Sequence, residues 1–155
     1  MIAIGADHYG YRLKETVKRH LVELGHEVVD YGCDDETPVD YPDVAAAVAG
    51  DVGAGRFDRA ILVCGTGLGM AIAANKVPGV RAAAVTDPYS AERARKSNDA
   101  QILCLGGTVV GDNLAKVLVD HWLAAEFAGG QSARKIAKID RLERSRAAGP
   151  APPSG

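Results

Sequence analysis

The chain has few cysteines, few aromatic residues and no long apolar run. Its three cysteines, Cys33, Cys64 and Cys104, are an odd and sparse set in 155 residues. That excludes a disulfide framework and fits a reducing, cytoplasmic setting. No apolar stretch approaches the length of a membrane span, so no membrane partner is expected. The start, MIAIGADHYG, has no basic segment followed by a long apolar one, and no signal peptide is expected. Positive charge is not in excess either: the formal net charge is -2, which argues against nucleic acid as a partner. No P-loop lysine follows a G-x-x-x-x-G-K-[ST] pattern, and no His/Cys/Asp cluster has metal-ligand spacing. Internal repeats and linkers are absent, and the one low-complexity stretch is AAGPAPPSG from Ala147.

What is there is an ordinary globular composition, 47% apolar and 25% charged. Its length suits one domain, predicted over residues 1–146, with a disordered Pro/Ala/Gly tail over 147–155. Short apolar runs alternate with longer amphipathic segments. Strands are predicted over Met1–Ala6, Glu27–Tyr31, Arg59–Cys64, Val80–Val85 and Ala100–Leu105. Helices are predicted over Tyr11–Leu24, Tyr41–Val52, Gly67–Asn75, Pro88–Ser97, Asp112–Glu126 and Gln131–Arg144. Strands that alternate with helices imply an α/β fold: a five-stranded parallel sheet with helices on both faces. Ligands of such sheets bind beyond the carboxyl ends of the strands. The residues to inspect are therefore Asp7-His8, Cys33 to Tyr41, Cys64 to Gly69, Asp87 to Tyr89 and Gly106 to Thr108.

Among them, ILVCGTGLGM at Ile61–Met70 places a thiol where a strand ends and a glycine loop begins. A helix N-terminus favours the thiolate form of a cysteine. Glycines let backbone N–H groups approach a developing anion. A base beside an anion hole suits proton abstraction next to a carbonyl, and it also suits thioester chemistry. The competing reading is that Cys64 is a small core residue and the glycines serve packing. The loop is not a dinucleotide motif, because the sixth residue counted from Gly65 is Met70 and the loop follows the third strand. Asp7 and His8 suit hydroxyl or phosphate contacts, and their place beyond a strand end favours this over the alternative of an N-cap and a solvated ring. Cys104 reads as core and Cys33 as a loop residue without a role. His20, His26 and His121 read as structural or solvated.

Five segments occur in order: GADHYGYRLK, DYPDVA at Asp40–Ala45, CGTGLGMAIAANKVPGVRAA from Cys64, PYSAERARKSND from Pro88, and ILCLGGTVVG at Ile102–Gly111. On these the chain resembles the type B ribose-5-phosphate isomerases and the galactose-6-phosphate isomerase subunits, over about residues 1–140. The resemblance implies a three-layer Rossmann-like sandwich. It implies a homodimer, or a tetramer, with active sites shared between subunits. No metal and no organic cofactor are implied. The implied reaction is aldose–ketose isomerisation of ribose 5-phosphate through a cis-enediolate. By resemblance Cys64 is the base, and Thr66 with the N–H groups of Gly65, Gly67, Leu68 and Gly69 stabilises the enediolate. Asp7 handles substrate hydroxyls, His8 lies on the phosphate side, and Tyr41 and Asn98 line the sugar pocket.

The chain departs from the family at three places. Ser97 stands in Arg95-Lys-Ser-Asn-Asp99 where members show R-x-H-N-D, whose histidine is assigned to opening the furanose ring. Thr108 stands where members show the arginine of G-x-R-V-V. Gln131 and Lys135 stand where the last helix carries arginines; Arg134, Lys135, Lys138 and His8 remain for a phosphate. Arginine forks bind phosphate bidentately, whereas lysine is a point charge. A tetrose 4-phosphate has no furanose to open, because the hydroxyl that would close the ring carries the phosphate. Erythrose or erythrulose 4-phosphate is thus an alternative substrate. An unphosphorylated sugar and a non-catalytic subunit are the further alternatives.

Overall fold

A computed structural model describes residues 1–147 and 149. Of the tail predicted over 147–155, Ala147 is helical, and the rest but Gly149 lies outside the described residues. In chain order the elements are β1 (Ile2–Ala6), α1 (Tyr11–Glu23), β2 (Val28–Asp30), α2 (Tyr41–Gly53), β3 (Ala60–Cys64) and α3 (Leu68–Ala74). They continue with β4 (Ala82–Ala84), α4 (Pro88–Lys96), β5 (Ile102–Gly106), α5 (Asp112–Ala124) and α6 (Gln131–Ala147). All strand pairs are parallel, in the order β2-β1-β3-β5-β4.

Period-2 alternation splits the three central strands between two cores. Ile2, Ile4, Ile61, Val63, Leu103 and Leu105 face α1, α4 and α5. Ala3, Ala60, Leu62, Cys64, Ile102 and Cys104 face α2 and α3. Both faces are covered, so β1, β3 and β5 are buried at every position and read as continuous apolar runs. Trp122 closes the first core. It is fully buried, and its indole N–H donates to the Ala100 carbonyl at 3.3 Å.

The outer strands are shorter than predicted. β2 and β4 each keep three residues, although ladder bonds at their ends still engage Glu27, Tyr31, Arg81 and Val85. An outer strand pairs on one side only, so fewer ladder bonds hold its ends. α5 stops two residues before the predicted Glu126, with Ala125 extended. The cause lies at the start of β3: the Arg59 guanidinium donates to the carbonyls of Trp122 and Ala125 at 2.7 and 2.8 Å. These bonds satisfy helix-end carbonyls that would otherwise be orphaned. α6 runs three residues past the predicted Arg144. It buries only Ile136, and leans on the link after α3 through Gly79 N–H to Glu143 at 2.9 Å and Arg81 to Asp140 at 3.5 Å.

The strand order reverses between β1 and β3. The helix after β1 packs on one face of the sheet and the helix after β3 on the other. The two chain directions part there and leave a crevice beyond the carboxyl ends of both strands, the usual ligand position in open α/β sheets.

Candidate active site

A cavity of about 600 Å³ occupies that crevice. Asp7, His8 and Tyr9 from the β1–α1 turn form one wall, and Cys64, Gly65, Thr66 and Gly69 from the β3–α3 loop another. Val39 and Asp40 and the first turn of α2, Tyr41 to Asp43, complete it.

Cys64 is the last residue of β3 and is 4% exposed. Its Sγ accepts the Gly67 N–H at 3.1 Å. That bond exists because Gly67 adopts φ +80 as the N-cap of α3, a left-handed conformation natural to glycine. A side chain at Gly67 would also meet the Leu105 backbone at 3.0 Å. The bond sets a backbone donor on the one sulfur that lines the cavity. Cys104 differs: it is wholly buried beside the same loop, and burial pushes its thiol well above the ordinary range. Only one of the two cysteines on this face of the sheet opens to the cavity.

The Asp7 carboxylate is 4% exposed, and its Oδ1 accepts the Gly10 N–H at 2.9 Å. The β1–α1 turn thereby fixes an acceptor on the cavity wall facing Cys64. His8 accepts the Val39 N–H on Nδ1 at 3.3 Å and packs against the Tyr9 ring with centroids 4.3 Å apart. A backbone N–H donates only to an unprotonated ring nitrogen, so Nδ1 is the acceptor and Nε2 carries the proton of the neutral ring. Thr66 Oγ1 accepts the Leu68 N–H at 3.3 Å. The Tyr41 ring lies across Gly69, where an added Cβ would stand 2.7 Å from it. Gly69 is thus required for the aromatic wall to close on the loop.

The support behind these walls is electrostatic. Lys14 of α1 is fully buried and donates to both oxygens of Asp30, at 2.9 and 2.8 Å, and to the Cys33 carbonyl at 2.8 Å. Burial would raise the Asp30 carboxyl. Bonds from Lys14, Lys18 and the Gly32 N–H outweigh it and hold the group below the usual carboxylate range. This cluster ties β2 and the root of the Cys33–Asp40 loop to α1. Farther out, Arg12 Nε meets Glu36 at 2.5 Å. His20, read as structural or solvated, pairs with Asp120 at 2.6 Å.

Of the residues singled out in the sequence, Asp7, His8, Tyr41, Cys64, Gly65, Thr66 and Gly69 come together on the cavity. Gly67 and Leu68 shape the loop from behind. Thr108 does not line the cavity; its hydroxyl donates to the Gly65 carbonyl at 2.6 Å. Ser97 and Asn98, at the end of α4, and Gln131, Arg134 and Lys135, on α6, do not line it within one chain. Tyr9, Val39, Asp40, Pro42 and Asp43 also line it, and none of them carries a motif that marks it for chemistry. Val39 and Asp40 fall inside a loop flagged by its strand-end position. Pro42 and Asp43 lie in the DYPDVA segment, where only Tyr41 had been given a role. Among the described residues no group of three or more His, Cys, Asp and Glu is placed to hold a metal ion, and no helix is long and apolar enough to cross a membrane.

The model of one protein family, Ribose/Galactose Isomerase, matches residues 2–139. Ribose-5-P isomerase B of Listeria innocua is 48% identical over 143 residues, covering 92% of this chain and 97% of that one. D-erythrulose-4-phosphate isomerase of Pectobacterium atrosepticum is 51% identical over 144 residues, covering 92% and 94%. The solved structure of Clostridium thermocellum ribose-5-phosphate isomerase B superposes with a TM-score of 0.92 at 50% identity, covering 94% of this chain and 98% of that one.

Proposed function

The chain belongs to the Ribose/Galactose Isomerase family, and on that premise we propose that it is an aldose–ketose isomerase of small sugar phosphates, with ribose 5-phosphate and ribulose 5-phosphate as its substrate pair. The observation that carries this reading is the pairing of Cys64 with its loop. A thiol at the cavity floor, with a backbone donor on its sulfur and further N–H groups beside it, is what enolisation next to a carbonyl needs.

The Cys64 thiolate removes the proton from C2 of the open-chain aldose. The C2–H electron pair forms the C1=C2 bond, and the carbonyl π pair moves onto O1. Thr66 and the N–H groups of the loop hold the enediolate oxygens as the charge develops. The O2 proton passes to O1, and the Cys64 thiol returns its proton to C1, giving the ketose with no net redox change. Asp7 orients the substrate hydroxyls, and His8 meets the phosphate end through its Nε2–H.

Ser97, Asn98, Gln131, Arg134 and Lys135 reach this cavity from a second copy of the chain, in a homodimer with shared sites. Two observations support that assembly. None of the five lines the cavity of its own chain, and Leu68, Ile72, Ile139 and Leu142 leave apolar surface exposed. A monomer in solution with full activity would refute it. The protein acts in the cytoplasm as one domain; its three unpaired cysteines support the compartment.

Ser97 favours a second substrate reading. Serine is no proton donor near neutral pH, so a furanose would lack the group that opens it. A tetrose 4-phosphate needs no such group, and a 51% identical relative carries the name D-erythrulose-4-phosphate isomerase. The test is turnover of ribose 5-phosphate against erythrose and erythrulose 4-phosphate, with Cys64→Ala as the blank. Preference for ribose 5-phosphate by orders of magnitude supports the main reading. The reverse preference makes Ser97 the specificity signature. Turnover of neither removes the sugar-phosphate reading and points to an unphosphorylated sugar.

A further inference from the structure

The β5–α5 loop grips the catalytic loop from behind. Gly107 N–H donates to the Cys64 carbonyl at 2.7 Å. Thr108 donates twice to the next carbonyl, that of Gly65: its N–H at 3.0 Å and its hydroxyl at 2.6 Å. Both lone pairs of the Gly65 oxygen are then engaged. The Gly65–Thr66 peptide is trans. In a planar trans peptide the N–H points opposite to the C=O. With its carbonyl turned onto Thr108, which does not line the cavity, this peptide turns its Thr66 N–H to the other side of the loop. Gly65 and Thr66 both line the cavity beside Cys64. That N–H has no acceptor among the described residues.

We propose that Thr108 is a positioning residue for the isomerisation: its hydroxyl locks the Gly65–Thr66 peptide so that the Thr66 N–H is aimed at the oxygen that turns negative in the enediolate. The inference rests on the isomerase reading above. A fixed donor stabilises developing charge because it need not reorient as the charge forms, and removing such a donor outright slows reactions roughly 10²–10³-fold. Thr108→Val keeps the backbone N–H bond to Gly65 and loses only the hydroxyl bond. The donor is loosened rather than removed, so the expected loss is roughly tenfold, below that range. Thr108 is exposed, so a branched methyl in place of the hydroxyl does not disturb the core.

The experiment compares wild type, Thr108→Val and Thr108→Ser in three readouts. These are steady-state kinetics with ribose 5-phosphate and the tetrose 4-phosphates, inhibition by a sugar-phosphate hydroxamic acid that mimics the enediolate, and the thermal midpoint. In Thr108→Val, kcat falls roughly tenfold with KM within about twofold. The hydroxamate weakens by the same factor, the midpoint is retained, and Thr108→Ser recovers kcat. A wild-type kcat in Thr108→Val overturns the proposal. So does a loss that serine does not recover, or a loss that follows only the midpoint. Thr108→Ala reads the same way if the valine variant does not fold. A wild-type protein that neither turns over a substrate nor binds the hydroxamate refutes the isomerase reading itself. An active wild type with an indifferent Thr108→Val refutes the role of Thr108 alone.

Discussion

The crevice between β1 and β3 and the outer segment made by the end of α4 and by α6 differ in what one chain completes. In the crevice most of the loop's polar groups find partners within the chain. Asp7 holds the Gly10 N–H, Cys64 holds the Gly67 N–H, and Gly107 and Thr108 hold the carbonyls of Cys64 and Gly65. Behind it, Lys14 is fully enclosed by its partners. α6 by contrast buries a single residue, and the residues of its first turns do not line the cavity of their own chain. The difference teaches where variation is tolerated. A residue braced on every side is fixed by its neighbours, whereas an exposed helix face exchanges arginine for glutamine or lysine at little folding cost. All three departures from the family pattern lie outside the cavity lining of one chain, and none lies at Cys64, Asp7 or Tyr41.

Substitutions sharpen or break this contrast. The largest effect is expected at Cys64. Cys64→Ala, which removes the proposed base, lowers kcat by roughly 10²–10⁴-fold with the unfolding midpoint retained. An active Cys64→Ala would break the comparison at its centre. Next comes the brace. Asp30→Asn leaves the enclosed Lys14 without its main counter-charge, and breaking a buried pair costs roughly 3–5 kcal/mol, read by urea unfolding. The same pair sets an acid limit. The Asp30 carboxyl titrates lower in the native state than its unfolded value of about 3.9. Its contribution is complete above that value and is lost as pH falls through the native one. Stability measured from pH 6 down to pH 2 should therefore drop below about pH 4, and Asp30→Asn should flatten that drop. Gly67→Ala follows: a left-handed non-glycine residue costs roughly 1–3 kcal/mol, and the Leu105 backbone lies 3.0 Å from the new Cβ. Both stability and kcat fall. The smallest effect belongs to the outer segment. Lys135→Ala raises KM for a phosphorylated substrate by roughly two- to fivefold, the scale of an exposed ion pair. The midpoint is unmoved, and the change shrinks as salt rises. An unchanged KM would show that α6 does not serve the site.

Much of the crevice was legible. Parallel strands put every loop of interest at one edge of the sheet, so reading the residues after each apolar run found Asp7, His8, Cys64 and Thr66 without coordinates. What the reading missed has a physical reason in each case. Asp40 and Asp43 gave no signal because a carboxylate at a helix start is usually a cap. The early end of α5 was hidden because Arg59 lies more than 60 residues before the carbonyls it satisfies. The glycines of the β3–α3 loop were read for anion approach. Gly67 and Gly69 turn out also to let Leu105 and the Tyr41 ring approach closely.

By itself the sequence determined the order of strands and helices and which strands are buried on both faces. It also placed a thiol at the end of a central strand. Each of these follows from local periodicity and from glycine and proline positions that no distant contact needs to supply. The tertiary structure alone decided that β1 and β3 are neighbours at the reversal of strand order, which brings Asp7 to face Cys64. It alone turned the hydroxyl of Thr108 onto Gly65 and enclosed Lys14. Those outcomes depend on pairs far apart in the chain, and a pattern of period 2 or 3.6 carries no record of which distant partner a residue meets.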